Sequence, residues 1–182
     1  MVKVPSRFVY RVFSPRLVVL VTTVDGKGHV NAAPFSFCGL LEIHPPTVYL
    51  STRPSQDTYK NILETKEFVF NIVSEDFAQK AINCEEKLPS DVNELEVFGL
   101  GMQPAEKVRP PRVEEAKAVL ECKLLREIDI GCEHVLIIGR VVSAHCEHLE
   151  NNFPVLEKIK PVMHIGSEQF STVGRTIKLR RK

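Results

Sequence analysis

Several things are missing from this 182-residue sequence, and each absence removes a class of function. No Cys-x-x-Cys occurs, and the five cysteines, Cys38, Cys84, Cys122, Cys132 and Cys146, are odd in number. That argues against a disulfide framework and against a paired-cysteine zinc site, and reads most of them as buried thiols. Neither G-x-G-x-x-G nor G-x-x-x-x-G-K-[ST] is present, so neither phosphate-loop signature supports a doubly wound parallel sheet. The longest early apolar run, Leu17 to Val21, falls far below the ~20 residues a membrane helix needs. The opening "MVKVPSRFVYRVF" has no continuous apolar stretch of the kind a signal peptide carries. Charge is nearly balanced, 24 Lys and Arg against 23 Asp and Glu, so the chain has no strong pull towards nucleic acid or a membrane surface. The expectation is a cytoplasmic protein that binds neither.

What remains is ordinary for a globular chain: 43% hydrophobic and 26% charged residues, enough to bury a core as a single domain over residues 1–182. "RLVVLVTTV", Arg16 to Val24, reads as a buried strand. Asp25-Gly26-Lys27-Gly28 is a strong hairpin signal, which makes His29 to Phe37 the returning strand. Pro45-Pro46 breaks the chain before a strand at Thr47 to Thr52. Helical spacing of Tyr59, Ile62 and Leu63 then predicts a helix capped by Ser55 or Asp57. Glu67 to Val73 alternates as a strand, Ser74 is placed to cap a second helix, and Asp91-x-x-Glu94 resembles a capping box. Two long strands, "KAVLECKLLREIDI" and "EHVLIIGRVVSAHCE", join across Gly131-Cys132. Beyond Glu147 the pattern reads as loops and short turns. The whole predicts a mainly β fold with helices: a closed antiparallel barrel with helical insertions, its core at about 13–148 and a closing segment and basic tail at 149–182.

Two stretches carry candidate chemistry. In "HVNAAPFSFCG", Pro34 has no N–H to pair, Ala32, Ala33 and Ser36 are small, and Asn31 and Ser36 offer donors and acceptors. Alternation puts Phe35 and Phe37 opposite Ser36, apolar support behind a small polar front. The same residues also describe an edge strand with a bulge. In "STRPSQDTYKN", a strand end meets a helix start, where free N–H groups favour anions. Arg53 and Lys60 are placed to neutralise a phosphate and Ser51, Thr52 and Thr58 to donate hydroxyls; Asp57 pairs with Lys60 or caps the helix. A capped surface helix fits this stretch as well. Together the two ask for a flat polar ring with a phosphate, which describes flavin mononucleotide and would also admit pyridoxal phosphate.

The order of these pieces, with "SPRLVVLVTTVDGKGHVNAAPFSF", "PPTVYLSTRPSQDTYKNILETKEFVFNIVSED", "VRPPRVEEAKAVLECKLL" and "HVLIIGRVVSAH", closely resembles the flavin reductase-like family of FMN-binding split barrels. Flavoredoxin and NAD(P)H:flavin oxidoreductases belong to it. The resemblance runs from about Phe13 to Gly174. It implies a homodimer with FMN held non-covalently near the interface, Asn31 to Phe37 along the ring and ribityl chain, and Ser51, Thr52, Arg53, Thr58 and Lys60 around the phosphate. It also implies a closing segment carrying His164, Gly166 and Phe170, with phenylalanine where relatives often have tyrosine. The implied activity is hydride transfer from NAD(P)H to bound FMN and onward to flavin, ferric iron or a protein acceptor, with no side chain required as acid or base. Alternatives are an electron carrier reduced by a redox partner protein and a flavin-binding module without turnover. "HCEH", His145 to His148, is too sparse for a metal site, since His145 and Cys146 point to opposite faces of a strand. The cluster Lys178 to Lys182 reads as a solvated tail.

Overall fold

The computed structural model describes residues 1–177 and 179; the basic tail, apart from Leu179, lies outside them. After a short helix α1 (Val9–Val12), the predicted first strand divides at Val18 into β1 (Arg16–Leu17) and β2 (Val19–Val24). Val18 donates its N–H to Val162 and accepts from Val73, so the chain passes there from one sheet to another. All six residues of β2 are buried. The reason is that the strand has core on both faces: Val19 and Val21 pack with Leu50, Ile62 and Phe68, while Leu20 packs with Ala32, Phe77 and Leu95. A continuous apolar run, rather than alternation, is the sequence of a strand buried on both sides.

The Asp25 turn forms as expected. Its carboxylate accepts the N–H groups of Lys27 and His29, and Gly28 takes a left-handed φ of 94°. β3 (Val30–Phe35) returns along β2, and only Ser36 and Phe37 separate it from β4 (Cys38–Glu42), a strand the sequence did not suggest. β5 (Thr47–Thr52), α2 (Asp57–Thr65) and β6 (Glu67–Ile72) follow where predicted. The cap of α2 is Gln56, not Ser55 or Asp57, and its side chain turns back to Thr52 and Arg53 rather than into the helix. The second helix is shorter than predicted, a 3-10 turn and then α3 (Ala78–Asn83); the buried Ser74 hydroxyl makes no capping bond. α4 (Glu94–Val97) is capped by Asn93, whose Oδ1 accepts from the Leu95 N–H, so Asp91 is not the cap. β7 (Met102–Gln103) pairs with β8 (Arg112–Val113). The long hairpin of β9 (Ala118–Asp129) and β10 (Val135–Cys146) forms, bent by two register shifts. A Cβ at Gly139 would collide with the Phe68 ring, so glycine lets that ring lie against β10.

Beyond Glu147 the chain is more regular than its sequence suggests. β11 (Leu149–Glu150) and β12 (Phe153–Pro154) pair, α5 (Leu156–Ile159) follows, and β13 (Val162–Gly166) with β14 (Gln169–Thr172) joins β1 in a three-stranded sheet.

The main sheet has seven antiparallel strands in the order β3-β2-β6-β9-β10-β5-β4. Its two edge strands are neighbours in the chain. Seven strands laid flat would span ~29 Å, whereas the step from Phe35 to Cys38 reaches at most ~11 Å. The sheet must therefore roll until its ends meet at Ser36-Phe37. Among the described residues no ladder joins β3 to β4, so the roll is split there and the predicted closure of the barrel is not seen as hydrogen bonding.

Candidate functional site

β3 is an edge strand, but it is not a damaged one. It pairs with β2 without a break from Val24↔Val30 to Val19↔Phe35. The N–H of Ala32 points away from β2, to the Glu94 carboxylate at 2.9 Å. Two residues on, the nitrogen of Pro34 faces the same outer edge, so its missing hydrogen costs no ladder bond. The opening beside β3 thus comes from its edge position, not from poor pairing.

Along that edge runs a cleft of about 1310 Å³. The two stretches singled out in the sequence meet in it, because the Ser51 N–H donates to the Phe37 carbonyl at 2.9 Å. At one end, Ser51 and Arg53 sit with His134, which the loop between β9 and β10 delivers. Arg53 Nε donates to His134 Nε2 at 3.1 Å, which leaves the ring hydrogen on Nδ1. Nδ1 then donates to Ser51 Oγ at 3.0 Å, so the Ser51 hydroxyl hydrogen is free for a ligand. The first turn of α2 faces the same end through Asp57 and Thr58. Thr58 Oγ1 accepts from Asn31 Nδ2 at 3.1 Å, and Asn31 Oδ1 has no partner among the described residues. This end brings together the Arg53 guanidinium, which also pairs with Glu133 at 3.4 Å, the Ser51 hydroxyl and the first turn of α2, groups of the kind that favour an anion.

The other end has the opposite polarity at its hydroxyl. His164 Nε2 donates to the Ser167 carbonyl at 3.1 Å, so Nδ1 accepts, from Ser36 Oγ at 3.0 Å and weakly from Arg16 Nη2 at 3.5 Å. Ser36 gives away its hydrogen and keeps its lone pairs for the cleft. The His164 ring stacks on Phe170 at 5.0 Å and 29°, and the Arg16 guanidinium lies 5.0 Å over Phe37. Phe35, Ser36 and Phe37 all line the cleft, because strand alternation stops at Phe35; the predicted apolar back and polar front are not separated.

Of the predicted residues, Asn31, Ala33, Pro34, Ser36 and Phe37 line the cleft, as do Ser51, Arg53, Thr58 and His164. Three do not. Ala32 is fully buried in the core towards α4, Thr52 donates to Gln56 Oε1 at 2.9 Å, and Lys60 pairs with Asp57 at 2.7 Å with its side chain 58% exposed. Cys38 is half-buried against the core, where desolvation pushes its thiol up to about 12, so it is no nucleophile at neutral pH. Among the cleft residues without a signal in the sequence are His134 and Glu94, the latter read there only as part of a cap. Glu94 is 8% exposed. Burial raises its pKa above the ordinary carboxylate value; the Ala32 N–H offsets part of that, and the charge of Asp57 adds to it.

The sequence model of the family described as "Flavin reductase like domain" matches residues 11–169. An uncharacterised protein of Aquifex aeolicus is 36% identical over 164 residues, covering 86% of this chain and 83% of its own length. Nitrilotriacetate monooxygenase component B from Bacillus cereus superposes with a TM-score of 0.90 at 27% identity, covering 98% of both chains. The 2-nitrobenzoate 2-nitroreductase NbaA of Pseudomonas fluorescens superposes with a TM-score of 0.82 at 25% identity, covering 98% of this chain and 93% of that one. No helix among the described residues is long and apolar enough to cross a membrane.

Proposed function

Because the chain belongs to the flavin reductase-like family, we propose that its cleft holds flavin mononucleotide non-covalently and that the protein is an oxidoreductase, taking hydride from NAD(P)H and passing electrons to flavin, ferric iron or a protein acceptor. The observation that carries this reading is the pairing, in one cleft, of the Ser51–Arg53–His134 anion end with the outer edge of β3, which no strand covers among the described residues. The donor set fits the group: a phosphate needs a cation and hydrogen-bond donors, and a flat ring needs small side chains along a backbone edge.

Bound flavin would supply the redox chemistry, accepting two electrons as hydride and releasing them singly or in pairs. The chain's own residues bind and orient. The Ser51 hydroxyl, Arg53 and the first-turn N–H groups of α2 take the phosphate. Lys60 acts from outside, neutralising Asp57 and so removing a repulsion from the phosphate end. Ala33 and Pro34 let a flat ring approach β3, and Asn31 Oδ1 and Ser36 Oγ accept from ring or ribityl hydrogens. His164 and Phe170 close the far end against water.

The same reading includes a homodimer. Leu40 and Leu41 on the edge strand β4, and Ile43 just beyond it, are 62%, 55% and 64% exposed. A bare apolar edge of this kind is a surface another copy would cover. Purified protein should be yellow and dimeric, and anaerobic NADH or NADPH should bleach the flavin absorption. A colourless preparation that takes up no added FMN overturns the reading. Retained colour that neither nicotinamide bleaches assigns the protein to the electron carriers instead.

A further inference from the structure

The cleft is larger than its anion end and the β3 edge require. Its volume of about 1310 Å³ lies above the ~300–1,000 Å³ of ordinary small-molecule sites. One whole wall belongs to α3 and the chain that follows it. The floor of that wall is apolar, made by Ala78, Ile82 and Leu88 with Val18 and Val162. Its rim is acidic. Glu85 and Glu86 are exposed and form no ion pair among the described residues, with Lys87 beside them. Of the other acids lining the cleft, Glu75 is answered by Lys160 at 3.8 Å and Asp57 by Lys60 at 2.7 Å, while Glu168 forms no ion pair among the described residues.

Behind this rim sits Glu94, more than nine-tenths buried and part of the cleft lining. One of its oxygens takes the Ala32 N–H; no cation pairs with it among the described residues. A buried carboxylate next to an open cavity, with no cation of its own, favours a cavity occupant that brings positive charge or a polarised N–H.

We propose that this wall forms a second subsite, which takes a flat aromatic molecule that is uncharged or cationic and turns away anionic ones. It rests on the flavin reading in one respect, that flavin fills the anion end and leaves this wall to the electron acceptor rather than to the anionic nicotinamide nucleotide. The apolar floor supplies the stacking surface, and Glu85, Glu86 and Glu94 set the charge preference.

The test uses three ring molecules of one size: benzamidine, benzamide and benzoate. Their binding to the protein as purified, with its flavin content read from absorbance, is measured by calorimetry at low and high salt. Benzamidine should bind tightest and benzoate weakest, about tenfold apart at low salt, with the gap shrinking as salt rises. Glu85→Gln with Glu86→Gln should narrow the gap, and so should Glu94→Gln, whose amide oxygen still accepts from Ala32; thermal melts report that each variant is folded. Benzoate binding as tightly as benzamidine, no binding by any of the three, or a gap that survives all these substitutions would overturn the proposal. Protein that holds flavin but shows no charge order refutes the subsite alone. Colourless protein that takes up no added FMN and still shows the order refutes the flavin reading alone.

Discussion

Glu94 and Glu121 are both buried, and the chain treats them in opposite ways. Glu121 is fully buried on β9. Burial alone would raise its pKa, but the N–H groups of Glu106 and Lys107 and the Arg112 guanidinium outweigh that and hold it below the ordinary value. Arg112 also reaches His145, so one carboxylate ties the 106–112 segment to β9 and β10. Glu94 has backbone N–H groups, chiefly that of Ala32, but no cation beside it among the described residues, and its pKa stays raised. The difference separates scaffold from site: charge is fully matched where a long connection must be fastened to the sheet, and left unmatched where the sheet edge opens on the cleft.

The comparison breaks if both carboxylates behave alike. Arg112→Ala should cost about 3–5 kcal/mol in denaturant unfolding, the cost of stranding a buried charge, while Glu94→Gln should cost nothing. A smaller effect is expected at the anion end. Arg53→Ala should weaken FMN binding by about 1.5–3 kcal/mol in a fluorescence titration. Riboflavin, which lacks the phosphate, should bind the variant and the parent protein equally; an equal loss for both would place the phosphate elsewhere.

The pH dependence sharpens the contrast through its sign. Glu121, with a depressed folded pKa, contributes stability that is present above its unfolded pKa and lost as pH falls through the folded value. Glu94, with a raised folded pKa, contributes stability that is present below its unfolded pKa and lost as pH rises through the folded value. Glu94→Gln should therefore gain on the parent protein as pH rises from the unfolded carboxylate value of ~4.3 to the raised folded value, and the gain should level off above it, read from melting temperatures across pH. The smallest effect belongs to Lys60→Ala. Its exposed pair with Asp57 should be worth at most ~0.5 kcal/mol in stability.

How far the sequence reveals this molecule depends on how local each cause is. The Asp25 turn and the β2–β3 hairpin are legible because the Asp25 carboxylate binds N–H groups two and four residues on. The two long strands are legible from their own composition. β4 is not, because "CGLLE" leaves two leucines in solvent, and a strand that borders an open edge shows no inward alternation. β13 and β14 read as loop because β13 gains its regularity from β1, some 146 residues away, through Arg16↔His164 and Leu17↔Met163, and β14 in turn pairs with β13. The site divides in the same way. Asn31 to Phe37 and Ser51 to Thr58 are visible as unusual local composition. His134 and Glu94 are isolated residues carried to the cleft by a hairpin loop and a one-turn helix. Lys60, expected beside the phosphate, lies outside the cleft lining with its ammonium on Asp57, an i to i+3 partner that the sequence also offered.

The joint at Ser36-Phe37 also has a kinetic consequence. The main sheet is held at this seam by covalent chain, not by a ladder; on the β3 side Ala32 gives its outward N–H to Glu94 and Pro34 has none, so the amides guarded only by what lies against them are the outward ones of β4. In hydrogen–deuterium exchange these would be the first amides of the sheet to trade with solvent, and a molecule resting across Ser36 would slow them by the factor its binding dictates. The same molecule would raise the melting temperature by fastening the two ends of the sheet. Occupancy of the cleft can thus be followed in this protein without any turnover, as the rate at which its seam breathes.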